Sequence, residues 1–232
     1  MAPSLEDAIA SGDLRALNAT LAKRRHANLN PLTTKVLLGA QKITVMGLAC
    51  LGLQLEIVKR LVKVRLAALH APAEGSGGET SRRRCQTLLD KDRDGLKSAF
   101  VYAMPKDKLF WTSVLGASGG KAQTLRHPGV DEDAAIMSVL QALHPLLKRG
   151  VDAGERPQLL EQKLLTQAIE NRLLKTLSCL LQEFGMDSNI GYISVRNCKN
   201  TLLSALEFAI RRDHAEAEQK GARYRFQDSI TR

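Results

Sequence analysis

The chain has 232 residues, 44% of them hydrophobic, and a formal net charge of +10. This length allows one domain or two small ones, and the hydrophobic content excludes a chain that is disordered throughout. Aromatic residues make up only 4% of the sequence, so we expect a core of leucine, alanine, isoleucine and valine, which suits closely packed helices.

Neither a membrane span nor a disulfide framework is evident in the sequence. The longest apolar run, Ile43–Leu53, has 11 residues, whereas a helix needs about 20 to cross a bilayer. Glu6 and Asp7 argue against a secretory signal at the N-terminus. The cysteines form no CxxC pair, and we expect buried free thiols; they are Cys50, Cys85, Cys179 and Cys198. These features favour an intracellular protein, cytoplasmic rather than nuclear.

The first segment predicts two short helices joined by a turn. Ser4 can cap the first helix together with Asp7, and Ser11-Gly12-Asp13 ends it. Asp13 can then cap a second helix, whose leucines recur at helical spacing (Leu14, Leu17 and Leu21). Lys23-Arg24-Arg25 are expected to close it, and Asn28–Pro31 is a predicted turn.

A second pair of helices is predicted between residues 44 and 72. The inner helix lies near Thr44–Leu51, and the outer helix runs from about Leu55 to His70. Pro72 stops the outer helix.

The third pair is interrupted in the sequence. Asp90–Gly95 suggests a polar turn, Ser98–Met104 an inner helix, and residues 106–132 an insertion. Asp133–Lys148 has the apolar spacing of an outer helix, and Gly150 is its expected stop.

A fourth pair and part of a fifth follow. Leu164–Asn171 and Leu173–Phe184 read as inner and outer helices, and a further inner helix begins at Ser204. The segment after it, His214–Gly221, has only alanines as apolar residues, which is typical of a terminal cap.

Thr44–Glu56 and Ser204–Glu216 resemble the ankyrin pattern T-P-L-H-x-A, and the segment from Leu5 to Leu14 supplies a third copy. An ankyrin unit is a turn plus two antiparallel helices that bury their apolar face only by stacking on neighbours. The resemblance implies an all-α, ankyrin-like helical-repeat solenoid with long loop insertions.

The spacing of the copies departs from the ankyrin period of about 33 residues. The template alanines are Ala8, Ala49, Ala168 and Ala209, with Ala103 as the third. Both Ala8 to Ala49 and Ala168 to Ala209 span 41 residues, and the two intervals across Ala103 span 54 and 65. No copy keeps T-P-L-H intact. HEAT or armadillo-like helix pairs, with periods of about 40–47, are the alternative.

Three regions follow from this reading. Residues 1–70 hold the N-terminal repeats, 71–132 a degenerate repeat with two insertions, and 133–232 the C-terminal repeats and cap. The insertions, residues 72–89 and 116–132, are glycine-rich and charged, and we expect them to be mobile.

Two segments suggest chemistry without meeting its requirements. Val114–Ala122 resembles a phosphate-binding loop, but Val114 and Ala122 replace the first glycine and the final hydroxyl residue of that motif. Asp131–Asp133 lies near His127, yet acidic residues are also typical of a helix N-terminus. We therefore expect no enzyme activity, metal or cofactor.

The expected function is a non-catalytic scaffold that binds another protein, which could be acidic. In ankyrin-like proteins the concave groove is formed by turns and by inner-helix positions after the template alanine, which here are Glu170, Asn171, Arg211 and Arg212. The alternative is a nucleic-acid-binding module, because residues 1–70 carry ten basic and four acidic side chains, a net charge of +6.

Overall fold

Helices make up most of the residues that the computed structural model describes, which are residues 4–23, 29–38, 41–70, 92–105, 131–151, 158–186, 193–194 and 202–203. The chain divides into two units, Met1–Arg156 and Pro157–Arg232. The predicted helical class is therefore confirmed, with two short β-hairpins that were not predicted.

The first unit begins with two helices, α1 (Leu5–Ala10) and α2 (Leu14–Leu21). The Ser4 hydroxyl accepts a hydrogen bond from the Asp7 N–H, and Asp13 accepts from the first N–H groups of α2. Both predicted caps are confirmed. Helix α2 ends at Leu21, so Lys23 lies beyond it rather than in its last turn.

An antiparallel hairpin precedes the next pair of helices. Strands β1 (Lys35–Leu38) and β2 (Gln41–Thr44) pair so that Val36 is opposite Ile43 and Leu37 is opposite Lys42. Thr44 then caps α3 (Val45–Leu51) by accepting from the Gly47 N–H, and α4 (Leu55–His70) follows. The predicted bounds of these two helices are confirmed.

The third pair consists of α5, over residues 92–103, and α6 (Glu132–Val151). Residues 92–95 are helical, so the polar turn predicted at Asp90–Gly95 is wrong over that part. Asp92 is buried against Arg65 rather than solvated, which explains the difference. Helix α6 continues through Gly150, which is therefore not its stop.

The second unit contains α7 (Gln158–Glu170) and α8 (Leu174–Gln182), followed by strands β3 (Ile193–Ser194) and β4 (Leu202–Leu203). Helices α7 and α8 pack against each other, and β3 pairs with β4 in antiparallel fashion. The fourth predicted pair is therefore confirmed.

Three helical pairs share one backbone turn: α1–α2, α3–α4 and α7–α8. In each, the carbonyl of a fully buried alanine accepts from the N–H five residues later, at 2.9–3.0 Å. The residue before that donor has a positive φ, of 52° to 69°. The alanines are Ala8, Ala49 and Ala168, and the positive-φ residues are Gly12, Leu53 and Arg172.

This arrangement is a Schellman-type helix end, in which two nested backbone hydrogen bonds satisfy carbonyls at the end of the first helix. In all three turns the positive-φ residue also donates to the carbonyl three residues earlier, at 3.0–3.2 Å. Each first helix ends two residues after its alanine. The three helix ends therefore lie at the same distance from Ala8, Ala49 and Ala168.

Within the first unit, corresponding helices of successive pairs pack against each other. Helix α1 packs on α3, α2 on α4, and α4 on α6. The α1–α2 and α3–α4 turns lie close together, since a Cβ on Gly12 would collide with the Gln54 side chain. Helix α5 approaches α3, because a Cβ on Gly47 would lie 3.0 Å from Cδ2 of Tyr102.

These contacts bury one apolar core in the first unit. It combines the inner-helix alanines with leucine, isoleucine, valine and methionine, as the composition predicts. Phe100 adds a fully buried aromatic ring. The largest fully buried side chains of this core also include Ile9, Leu17, Met46, Leu51, Leu61, Met104, Ile136 and Leu140.

Candidate interaction surface

The predicted partner-binding residues Glu170 and Asn171 lie at the end of α7 and in the turn that follows. Both are exposed. The Asn171 N–H donates to the Gln167 carbonyl at 3.1 Å, and its side-chain amide donates to the same oxygen at 2.8 Å. Asn171 therefore closes the helix while its outer surface faces solvent.

The equivalent positions of the other two turns differ in exposure. After Ala8 they are Ala10, which is half-buried, and Ser11, which is exposed. After Ala49 they are Leu51 and Gly52, which are both buried. An exposed polar pair is therefore specific to the α7–α8 turn among the three.

Several sequence predictions lie outside the described residues. They include Arg211 and Arg212, the Val114–Ala122 loop, the insertion at 72–89, residues 116–130 of the second insertion, and the fifth repeat from Ser204 onward.

The acidic cluster at the start of α6 has the helix-capping role that its position indicates. Asp131 accepts a hydrogen bond from the Ala134 N–H at 3.1 Å, and Glu132 and Asp133 occupy the first turn. Negative charge at this end complements the helix dipole. His127 lies outside the described residues.

A buried polar cluster connects three segments of the first unit. Arg65 on α4 pairs with Asp92 on α5 through its Nε, and the other oxygen of Asp92 accepts from the Asn30 amide at 2.8 Å. Only 4% of the Arg65 side chain and 5% of the Asp92 side chain are exposed. The Asn30 amide oxygen accepts from the Leu32 N–H at 3.0 Å. Nη2 of Arg65 also lies within ion-pair distance of Asp92, but it makes no hydrogen bond.

Cys50 and Cys179 are free and buried, as predicted. Burial raises the pKa of Cys50 far above its ordinary value. Burial, followed by the charge of Glu183 and a hydrogen bond to it, raises the pKa of Cys179 to about 12. Both thiols therefore stay protonated and poorly nucleophilic at neutral pH.

The β1–β2 hairpin has one buried and one exposed face. Val36 and Ile43 are buried, whereas Lys35, Leu37 and Lys42 are exposed. Sequence reasoning missed this hairpin. The available signal was two short runs with β-branched residues, Val36 in the first and Ile43 and Thr44 in the second, separated by the two residues Gly39-Ala40.

Two large apolar side chains are exposed among the described residues. Leu37 is 63% exposed and Leu174 is 73% exposed. Leu174 begins α8, three residues after Asn171, and the leucines at the same position of the other two turns, Leu14 and Leu55, are half-buried. The α7–α8 turn therefore combines exposed polar groups with an uncovered leucine.

Over the described ranges, no helix is both long and apolar enough to cross a membrane. The same ranges contain no group of three histidine, cysteine, aspartate or glutamate side chains arranged to hold a metal ion.

Comparison with known proteins found no matching family model, no similar curated sequence and no similar solved structure.

Proposed function

We propose that this chain is a non-catalytic scaffold of ankyrin-like helical repeats that binds a partner protein at exposed turns between its paired helices. The observation that carries the proposal is the turn shared by α1–α2, α3–α4 and α7–α8. A repeated supersecondary unit that stacks on its own copies is typical of solenoid proteins, whose extended surfaces bind partners.

The packing within the first unit supports the repeat reading. First helices contact first helices, second helices contact second helices, and Arg60 of α4 donates to Asn18 of α2 at 2.8 Å. Stacked pairs of this kind leave the turns along one edge. The β1–β2 hairpin directly precedes α3, and β3–β4 directly precedes the predicted helix at Ser204, which agrees with a turn element before each pair.

The α7–α8 turn supports a binding role for the predicted groove. Glu170 and Asn171 offer polar contacts, and Leu174 offers an apolar one. In protein interfaces, an apolar side chain at the centre is typically buried by the partner and surrounded by a polar rim. Arg211 and Arg212 would extend this surface if the fifth repeat follows the same template.

A direct test uses partner capture followed by mutation. The tagged chain is used to purify a partner, and binding of that partner is then measured for the variants Asn171→Arg, Leu174→Ser and Arg211→Glu/Arg212→Glu. We expect each to weaken binding about tenfold or more, as loss of a central contact does. Ser178→Arg, an exposed position on α8, is the control and should leave affinity unchanged. Equal affinity for all variants would exclude the turn surface.

Nucleic-acid binding is the competing function, because the first 70 residues carry a net charge of +6. The salt dependence of binding distinguishes it from binding to a protein. Affinity for DNA or RNA falls steeply as salt rises, in proportion to the number of phosphates neutralised. Submicromolar binding of an oligonucleotide with such a slope would favour this alternative.

A further inference from the structure

The exposed face of the β1–β2 hairpin combines an apolar side chain with two positive charges. Leu37 lies directly opposite Lys42, and Lys35 lies two residues before Leu37 on the same strand. Residues two apart share a face of a strand, so the three side chains form one small patch. The opposite face is held in place by the buried Val36 and Ile43.

The positive charge of this patch is not neutralised within the described residues. Within those residues neither Lys35 nor Lys42 takes part in an ion pair, whereas Lys59 pairs with Glu56 and Arg65 with Asp92. The surrounding sequence adds to the imbalance. Residues 14–55 contain no aspartate or glutamate but six basic residues, namely Arg15, Lys23, Arg24, Arg25, Lys35 and Lys42. A surface of this kind attracts negatively charged partners.

We propose that the hairpin face of Lys35, Leu37 and Lys42 docks an extended acidic segment of a partner protein, with an apolar side chain of that segment packed on Leu37. This rests on the proposed function, since it names the partner chemistry of a protein-binding scaffold. An extended segment with a carboxylate two residues away from an apolar residue matches the spacing of Lys35 and Leu37, which is about 7 Å along a strand.

The same face suits a peptide better than a nucleic acid. The described residues of the hairpin contain no aromatic or arginine side chain on which a base could stack. Leu37, which is 63% exposed, adds nothing to phosphate recognition but adds favourable burial with an apolar side chain.

The test measures fluorescence anisotropy of a dye-labelled synthetic peptide of ten residues, in which aspartates flank a central leucine. We expect Leu37→Ser to weaken binding about tenfold, from the loss of apolar burial. Lys35→Glu and Lys42→Glu should each weaken it about fivefold or more, because a like charge replaces an attraction. A peptide with serine in place of its leucine should bind the wild type about tenfold more weakly.

Lys63→Glu is the matched control, because it makes the same change of charge at an exposed position of α4. It should change affinity less than about twofold. Circular dichroism of each variant checks that folding is retained.

Three results would overturn the docking site: no measurable peptide binding, equal losses for Lys63→Glu and the hairpin variants, or tighter binding of a single-stranded oligonucleotide that displaces the peptide. The captured partner gives a separate readout. If it still binds and responds to Asn171→Arg but not to the hairpin variants, the docking site is wrong while the scaffold function stands.

Discussion

The cluster of Arg65, Asp92 and Asn30 gives the sharpest test of how the first unit is held together. Asp92→Ala removes the negative charge and leaves the Arg65 guanidinium, 4% exposed, without its counterion. Breaking a buried ion pair from one side typically costs about 3–5 kcal/mol, because the remaining charge stays desolvated. The Asn30 amide loses its acceptor in the same substitution.

A surface ion pair supplies the comparison. Lys59 and Glu56 are 2.7 Å apart on α4, with side chains 48% and 64% exposed. Water screens this pair, so Glu56→Ala should cost less than about 1 kcal/mol. The two substitutions each remove one carboxylate from an ion pair, and they differ chiefly in burial.

Urea unfolding followed by circular dichroism measures both costs, and a double variant completes the reasoning. Arg65→Met/Asp92→Leu removes both charges, and also the unsatisfied Nη2 of Arg65. It should recover most of the stability lost in Asp92→Ala, because apolar replacements of buried pairs are often neutral or better. If Asp92→Ala costs no more than Glu56→Ala, the cluster is not desolvated as described and the reasoning fails.

Further expectations concern one glycine, one thiol and two leucines. Gly95→Ala should destabilise by about 1–3 kcal/mol in urea unfolding, although alanine favours helices, because its Cβ would collide with the Leu32 carbonyl; a gain in stability would contradict that packing. Cys179 should resist alkylation by iodoacetamide at pH 8 until urea unfolds the chain, as located by mass spectrometry, because its pKa is raised from 9.0 to about 12. Its folded-state pKa lies above the unfolded value, so its stabilising contribution is complete below pH 9 and is lost as pH rises toward about 12; rapid labelling of the folded protein at pH 8 would disagree with this. Leu180→Ala should cost about 2–5 kcal/mol, whereas Leu174→Ser, at a 73% exposed position, should change stability by less than about 0.5 kcal/mol; similar costs would show that Leu174 is packed.

The sequence predicted best the elements that are specified locally. Ser4 and Asp13 accept the N-terminal hydrogen bonds of α1 and α2, a role that depends only on a hydroxyl or carboxylate at the start of the helix. The apolar spacing of α4 and α8 likewise specifies one buried face of a helix.

Features that depend on distant partners were not predictable in this way. Asp92 reads as a turn residue among Asp90–Gly95, and only Arg65, 27 residues earlier, makes it a helical core residue. The β1–β2 hairpin is short, and its strands are held partly by the burial of Val36 and Ile43. All four predicted site residues, Glu170, Asn171, Arg211 and Arg212, were chosen from a repeat template. The exposure of Leu174 depends on the tertiary packing around it, which a local sequence pattern does not specify.

At the positive-φ position of the shared turn, the side chain can change while the course of the backbone stays the same. The two hydrogen bonds that the three turns share join backbone groups, so glycine, leucine and arginine occupy the same place at residues 12, 53 and 172. A non-glycine residue there carries a conformational cost of about 1 kcal/mol, which a repeat can accept in return for a useful side chain. Arg172 is exposed and Leu53 half-buried, so substitutions at this one position alter what an approaching molecule meets while the helices before and after keep their course.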